Sequence, residues 1–374
     1  LELDKHLKKL KKATCDTRML DIDKINYMMI EFTSACNARC PACARTQHFV
    51  NSGITPHGSR QITMDHMKNL FGIKWPNLRK INIDGNYGDS MYHPKSLELL
   101  EYIADTQDAS NIKLYIDSNG GYKTPEFWKD LGQLMKRFHH TSCITFGIDG
   151  IDPEMHARYR VRVNLDKVFA NAKTFIENGG NAEWKWIGFD YNDHQLEDAK
   201  RMSKEMGFSA FIYKNTRVRH SIIRQAMGLQ DLDKGVTATS KNVNSTISKD
   251  IVKQAQKEIA SVKDFANESV IKCRFRREKN YGFQVEHSGR IYQCCHLPGY
   301  YNYQQPGSKI YKEYEYYTNK YSSNWNSLDE HNIMDILNHQ YFQHDLTDSF
   351  NNKTDASENP RISRCISKCG SIDG

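Results

Sequence analysis

Ten cysteines are spread unevenly along this chain. Cys36, Cys40 and Cys43 lie together in "TSACNARCPACART", spaced C-x3-C-x2-C. Cys273, Cys294, Cys295, Cys365 and Cys369 form a second set near the other end, and Cys15 and Cys143 stand alone. Positions i, i+4 and i+7 could share a helix face, but Pro41 would remove a helical hydrogen bond there. Asn37 and Arg39 do not extend an apolar stripe either. Thiolates this close more often hold metal. A zinc site wants four ligands, and His48 is the only local candidate for a fourth. An iron–sulfur cluster is held by cysteine thiolates at its irons. In the second set, Cys273, Cys294, Cys365 and Cys369 make a complete four-thiolate group suited to either metal. Cys295 is then spare, because adjacent residues at a strand end point opposite ways. The opening stretch "LELDKHLKKLKK" reads as a basic amphipathic helix rather than a secretory signal, so metal binding is expected over a disulfide scaffold. Cys143 reads as a buried strand residue and Cys15 as incidental.

These residues need a scaffold, and the first two thirds of the chain supply one. Strands are expected at "NYMMIEFT", "KINID", "KLYIDS", "CITFGID", "AEWKWIGFD" and "SAFIYK", with helices between them. One helix runs from about Pro94 to Asp105. Another starts with Thr124 as N-cap and Pro125 as first residue. A third runs from Leu165 to Asn178 and stops at Gly179-Gly180, and a fourth from His194 to Met206 stops at Gly207. Six β-α units in a row imply a parallel sheet with right-handed crossovers. The cysteine loop, "GNYGDS", "SNGG", "DG" and "YND" each follow a strand directly. Ligands bind at the carboxyl ends of parallel strands, so these clusters should converge on one rim.

With that order in view, the chain resembles the radical S-adenosylmethionine (SAM) superfamily. In that family three cysteines bind three irons of a [4Fe–4S] cluster, and the fourth iron stays open for the amino and carboxylate groups of SAM. "GNYGDS" is similar to the family's Gly-Gly-Glu motif, with Tyr87, Gly88 and Asp89 at its positions; there, backbone groups and an acid take the SAM ammonium. "SNG" (Ser118, Asn119, Gly120) resembles the Thr-Asn-Gly after strand three. "GIDGIDPEMHARYR" places His156 and Arg160 on the family's His and Arg, an arginine suited to the SAM carboxylate. "WIGFDYNDHQLEDAK" resembles the fifth-strand stretch, with Asn192 near the ribose. Ala42 stands before the third cysteine, where the family often has an aromatic, and Gly147 replaces a usual Ser.

The second set is similar to the auxiliary-cluster domains called SPASM and twitch. Its C-x15-G-x4-C stretch (Cys273, Gly289, Cys294) and Cys365-x3-Cys369 fit the one-cluster twitch form, because no cysteine lies between Cys295 and Cys365. The resemblance implies a fold of class α/β: a partial (β/α)6 TIM-like barrel with a small C-terminal α+β twitch-type iron–sulfur domain. The expected organisation is an N-terminal helical extension (1–24), the barrel (25–214), a linker with a helix at "KDIVKQAQKEIASV" (215–269) and the auxiliary domain (270–374). The auxiliary domain contains a hairpin turning at Ser288-Gly289 and a helix around "LDEHNIMDILNHQYF". The Tyr-rich stretch 300–321 is either a packed extension or a stacking platform for a base or peptide.

The resemblance also implies an activity. Reductive cleavage of SAM gives a 5′-deoxyadenosyl radical that abstracts hydrogen from a peptide or small metabolite. An auxiliary [4Fe–4S] cluster accepts an electron, and a flavodoxin- or ferredoxin-type donor supplies one. An iron–sulfur electron-transfer protein without turnover, or a zinc-bound adaptor, are the rival readings. The net charge of +7 over 374 residues falls short of a nucleic-acid footprint. No apolar run reaches the length of a membrane span, and a cytoplasmic enzyme is expected.

Overall fold

The computed structural model describes residues 20–43, 45–46, 60–189, 191–215, 268–298, 309–353 and 356–371. The expected linker helix, residues 1–19 of the N-terminal extension, Cys15 and His48 fall outside the described residues. Six strands run parallel in chain order: β1 (Tyr27–Ile30), β2 (Lys80–Ile83), β3 (Lys113–Ser118), β4 (Cys143–Gly147), β5 (Ala182–Gly188) and β6 (Ala210–Asn215). Between them lie α1 (Met64–Phe71), α2 (Ser96–Thr106), α3 (Pro125–Met135), α4 (Pro153–Tyr159), α5 (Leu165–Glu177) and α6 (Leu196–Glu205). This is the expected partial (β/α)6 arrangement.

The helix ends follow local chemistry. Thr124 is the N-cap of α3 and Pro125 its first residue. Gly179 and Gly207 take φ of +92° and +85° just past α5 and α6, a conformation a Cβ would oppose. The helices from Pro153 to Tyr159 and from Met64 to Phe71 were not among the expected elements. The first is capped by Asp152, whose carboxylate accepts from the Met155 N–H at 2.8 Å. The second is capped by Thr63, which accepts from the His66 N–H at 3.1 Å.

Alternation sorts the two faces of the sheet. Met28, Ile30, Ile81, Ile83, Leu114, Ile116, Ile144, Phe146, Trp184 and Trp186 face the helices and belong to the main core. Residues between them, including Tyr27, Lys80, Asn82, Tyr115, Asp117 and Lys185, occupy the other, concave face. There Tyr27 and Met29 form a separate small cluster with Phe275.

The C-terminal segment joins this sheet directly. Strand β7 (Val270–Ile271) is followed by β8 (Arg276–Arg277), β9 (Asn280–Val285) and β10 (Ile291–Tyr292). β9 pairs in parallel with β1, Met29 opposite Gln284, and β10 returns antiparallel to β9. The hairpin turns where the sequence puts it, with Gly289 at φ +81°. Then come α7 (Lys309–Tyr321), α8 (Ile333–Leu337), α9 (Ser363–Cys369) and β11 (Gly370–Ser371), which pairs with β7. α8 is shorter than the pattern suggests, because Asn332 caps it by accepting from the Asp335 N–H at 2.9 Å. Within α7, the Tyr317 and Tyr321 rings pack on Tyr341 and Trp325, so these two tyrosines of the stretch pack against the core.

Candidate functional site

The cysteine loop leaves the carboxyl end of β1. Cys40 is buried, and Cys36 and Cys43 are half-buried. The loop takes no helical form between Cys36 and Cys43, as Pro41 requires. Two donors aim at one sulfur: the Ala38 N–H is 3.3 Å and Asn119 Nδ2 3.6 Å from Cys36 Sγ. Such donors favour a thiolate over a thiol. Burial nevertheless pushes the Cys36 thiol up to about 12 and the Cys40 thiol up to about 11. The Arg160 guanidinium opposes the rise at Cys40. Thiols held protonated in this way lose their protons when metal binds. Ala42 is exposed on the loop.

The loop after β2 is pressed against the cysteine loop. A Cβ on Gly88 would lie 2.0 Å from the Thr33 carbonyl oxygen and 2.7 Å from that of Ala35. The Asp89 N–H donates to the Ala35 carbonyl at 3.0 Å. The Asp89 side chain is buried and accepts from Ser118 Oγ (3.0 Å), the Asn119 N–H (2.7 Å), Asn119 Nδ2 (2.7 Å) and the Met91 N–H (3.0 Å). Burial raises its pKa, and these donors pull against that rise. Asp89 is therefore a hub that joins the loops after β2 and β3. Asn119 extends the tie to the first loop by donating to Asn37 Oδ1 at 2.9 Å. Tyr87 is buried, and its N–H donates to Glu31 Oε1 at 2.7 Å.

Arg160 reaches the same rim from the end of α4. Its Nε donates to Asp149 Oδ2 at 2.6 Å, and only 15% of the arginine side chain is exposed. A Cβ on Gly147 would lie 2.5 Å from the guanidinium, so the glycine leaves room for it. His156 is fully buried, and desolvation, reinforced by Arg160, brings its pKa down to about 3. It is a neutral imidazole. Asn192 spends its amide on the backbone, accepting from the Phe189 N–H at 2.7 Å and donating to the Asp149 and Ile187 carbonyls at 3.0 Å. It ties β4 to β5.

At the other cysteine set, one cavity is lined by Cys273, Cys294, Cys365 and Cys369, together with Arg364 and Lys368. Burial pushes the Cys273 thiol up to about 11 and raises Cys294 and Cys365 as well, with the neighbouring sulfurs adding to the rise of these three. Cys295 does not line that cavity; its thiol is raised to about 11 by burial and then by Asp84, on the concave side. Among the described residues no three Cys, His, Asp or Glu side chains are gathered as one metal ion would require. A cubane cluster takes each thiolate at a different iron and asks for a wider set. The donor chemistry at both places, thiols with N–H or cationic neighbours, fits such clusters.

Three buried ionisable groups escaped the sequence reading. His287 Nδ1 lies 3.5 Å from both Glu31 Oε2 and Glu286 Oε1, and all three side chains are at most 1% exposed. Burial pushes Glu31 up and His287 pulls it back. The group links the ends of β1 and β9, with the Tyr87 ring edge-on to His287 at 5.9 Å. The only local signals were charged residues directly after apolar strand stretches.

Comparison with known proteins adds the class. Residues 30–202 match the profile described as the Radical SAM superfamily. That stretch runs from the last residue of β1 through most of α6. Similar solved structures include Streptococcus suis SuiB bound to S-adenosylmethionine, at 14% identity and TM-score 0.47, covering 79% of this chain and 64% of that one. SuiB bound to its precursor peptide SuiA gives 14% identity and TM-score 0.48, covering 81% and 65%. This chain thus spans just under two thirds of SuiB. Native anSMEcpe with bound AdoMet and Cp18Cys peptide gives 12% identity and TM-score 0.45, covering 92% and 89%. No curated protein matches the chain. No helix among the described residues is long and apolar enough to cross a membrane.

Proposed function

We propose that the chain is a radical SAM enzyme that cleaves S-adenosylmethionine reductively and uses the resulting radical to abstract hydrogen from a peptide or small metabolite. One observation carries this: Cys36, Cys40 and Cys43, Gly88 and Asp89, Ser118 and Asn119, and Arg160 meet on one rim at the carboxyl ends of parallel strands. A three-cysteine site would hold a [4Fe–4S] cluster with one open iron, and that cluster with SAM would supply the one-electron chemistry.

The chain's own residues position and shield. Asp89 fixes the two glycine-bearing loops. Their backbone groups lie against the cysteine loop and would suit the methionine moiety of SAM. Arg160, pinned by Asp149 beside Cys40, keeps a permanent positive charge for a carboxylate or for the cluster's own negative charge. Asn192 acts through the backbone it holds, shaping the rim between β4 and β5.

Cys273, Cys294, Cys365 and Cys369 are proposed to hold an auxiliary [4Fe–4S] cluster of the twitch type. Four thiolates would leave such a cluster no open iron, and the chemistry it would supply there is one-electron redox. A flavodoxin- or ferredoxin-type donor is the proposed reductant partner, and the cytoplasm the proposed compartment. The test is iron content after anaerobic reconstitution, with roughly eight irons per chain expected for two clusters. Replacing Cys36, Cys40 and Cys43 together by Ala should remove about half of that iron, one cluster of two. Full iron in the triple variant would overturn the assignment.

A further inference from the structure

The loop after β2 is fastened to the segment after β1 at three consecutive residues. The Tyr87 N–H donates to Glu31 Oε1 at 2.7 Å, Gly88 packs against the Thr33 and Ala35 carbonyls, and the Asp89 N–H donates to the Ala35 carbonyl at 3.0 Å. The last two fastenings involve backbone alone. The first runs through a side chain, and that side chain also faces the C-terminal segment. Glu31 Oε2 lies 3.5 Å from His287 Nδ1, across 256 positions of sequence.

A hydrogen-bonded turn delivers His287 to that place. The Glu31 N–H donates to the Val285 carbonyl at 3.0 Å, so β9 accompanies β1 to its end. Directly afterwards the Glu286 N–H donates to the Arg290 carbonyl and the Gly289 N–H to the Glu286 carbonyl, both at 2.8 Å. The Leu328 N–H donates to the Gly289 carbonyl at 3.0 Å and ties the turn to the rest of the C-terminal segment. His287 is thus held in place, with the Tyr87 ring edge-on to it at 5.9 Å.

Burial sets the chemistry of the pair. Glu31 is 1% exposed and His287 0%. Burial raises the Glu31 pKa, His287 pulls it back, and Glu286 adds to the rise. An ionised carboxylate is the stronger acceptor for a backbone N–H. Without His287, Glu31 would stay buried with one partner fewer and hold Tyr87 less firmly.

We infer that Glu31 and His287 are positioning residues through which the C-terminal segment fixes the loop after β2. SAM binding then depends on the docked C-terminal segment, a consequence that rests on the reading that this loop faces the methionine moiety of SAM.

The test uses the full-length reconstituted protein and two readouts. Hydrogen exchange in the peptide spanning residues 84–92 reports the fastening, and calorimetry with SAM reports its consequence. Glu31→Leu and His287→Leu should each speed exchange in that peptide about tenfold. The double variant should exchange no faster than Glu31→Leu alone, because His287 acts through Glu31. Glu31→Gln keeps an acceptor for the Tyr87 N–H and should restore most of the protection. SAM affinity should fall about tenfold in both leucine variants, with iron content at the wild-type level. Wild-type exchange of the loop in His287→Leu, or a rise spread evenly over the whole barrel, would overturn the inference. Should His287→Leu not fold, His287→Gln, which keeps a polar atom near the Nε2 position and none at Nδ1, is read by the same rule. Faster loop exchange with unchanged SAM affinity would support the fastening and remove SAM from this loop, so the two readings fail separately.

Discussion

At the scale of single residues, Asp89 does the most joining. Its carboxylate receives donors from Met91, Ser118 and Asn119, joining two loops, and its backbone N–H reaches Ala35 in a third. The sequence placed it at the motif's acid, and the expectation was a direct contact with the ammonium of SAM. In the structure its carboxylate accepts from groups of the loops after β2 and β3. Asp89→Ala leaves at least two buried donors without an acceptor and should cost ~3 kcal/mol or more in urea unfolding. SAM affinity, read by calorimetry, should fall with it. Iron content should not, because the cysteines are untouched. Unchanged stability and affinity would remove Asp89 from this role.

Among elements, the rim depends on how closely loops approach. Gly88 lets the loop after β2 lie against the backbone of Thr33 and Ala35, where a Cβ would come within 2.0 Å of a carbonyl oxygen. Backbone on both sides cannot yield as a flexible side chain can. Gly88→Ala should therefore destabilise by about 1–3 kcal/mol or more and lower the iron retained after reconstitution. A variant with wild-type melting temperature and full iron would show that the approach is looser than described. The strands, the capped helix at Thr124-Pro125 and the glycine stops at 179 and 207 were legible, because alternation, caps and positive φ leave local marks. Contacts such as Glu31 with His287, 256 positions apart, left none. Neither did the parallel pairing of β9 with β1, since nothing in "YGFQV" names its neighbour.

For the whole molecule, that pairing decides how the two cysteine sets relate. The chain returns after residue 268 to extend the same sheet, which puts the cavity of Cys273, Cys294, Cys365 and Cys369 beside the β1 edge of the concave face. Composition and spacing could single out the four cysteines, but the adjacency comes from tertiary structure alone. If the auxiliary set is redox-active, replacing Cys365 and Cys369 by Ala should leave reductive SAM cleavage intact and suppress the oxidised product. A folded variant with full product yield would contradict that role, and a precipitating one would assign the cluster to stability instead.

The central claim is that this rim generates a radical from SAM. The most direct measurement is quantification of 5′-deoxyadenosine and methionine after the anaerobically reconstituted protein is reduced with dithionite in the presence of SAM. The account predicts both products in equal amounts, and none from the Cys36, Cys40 and Cys43 triple variant. Fully iron-loaded wild-type protein that forms no 5′-deoxyadenosine would contradict it.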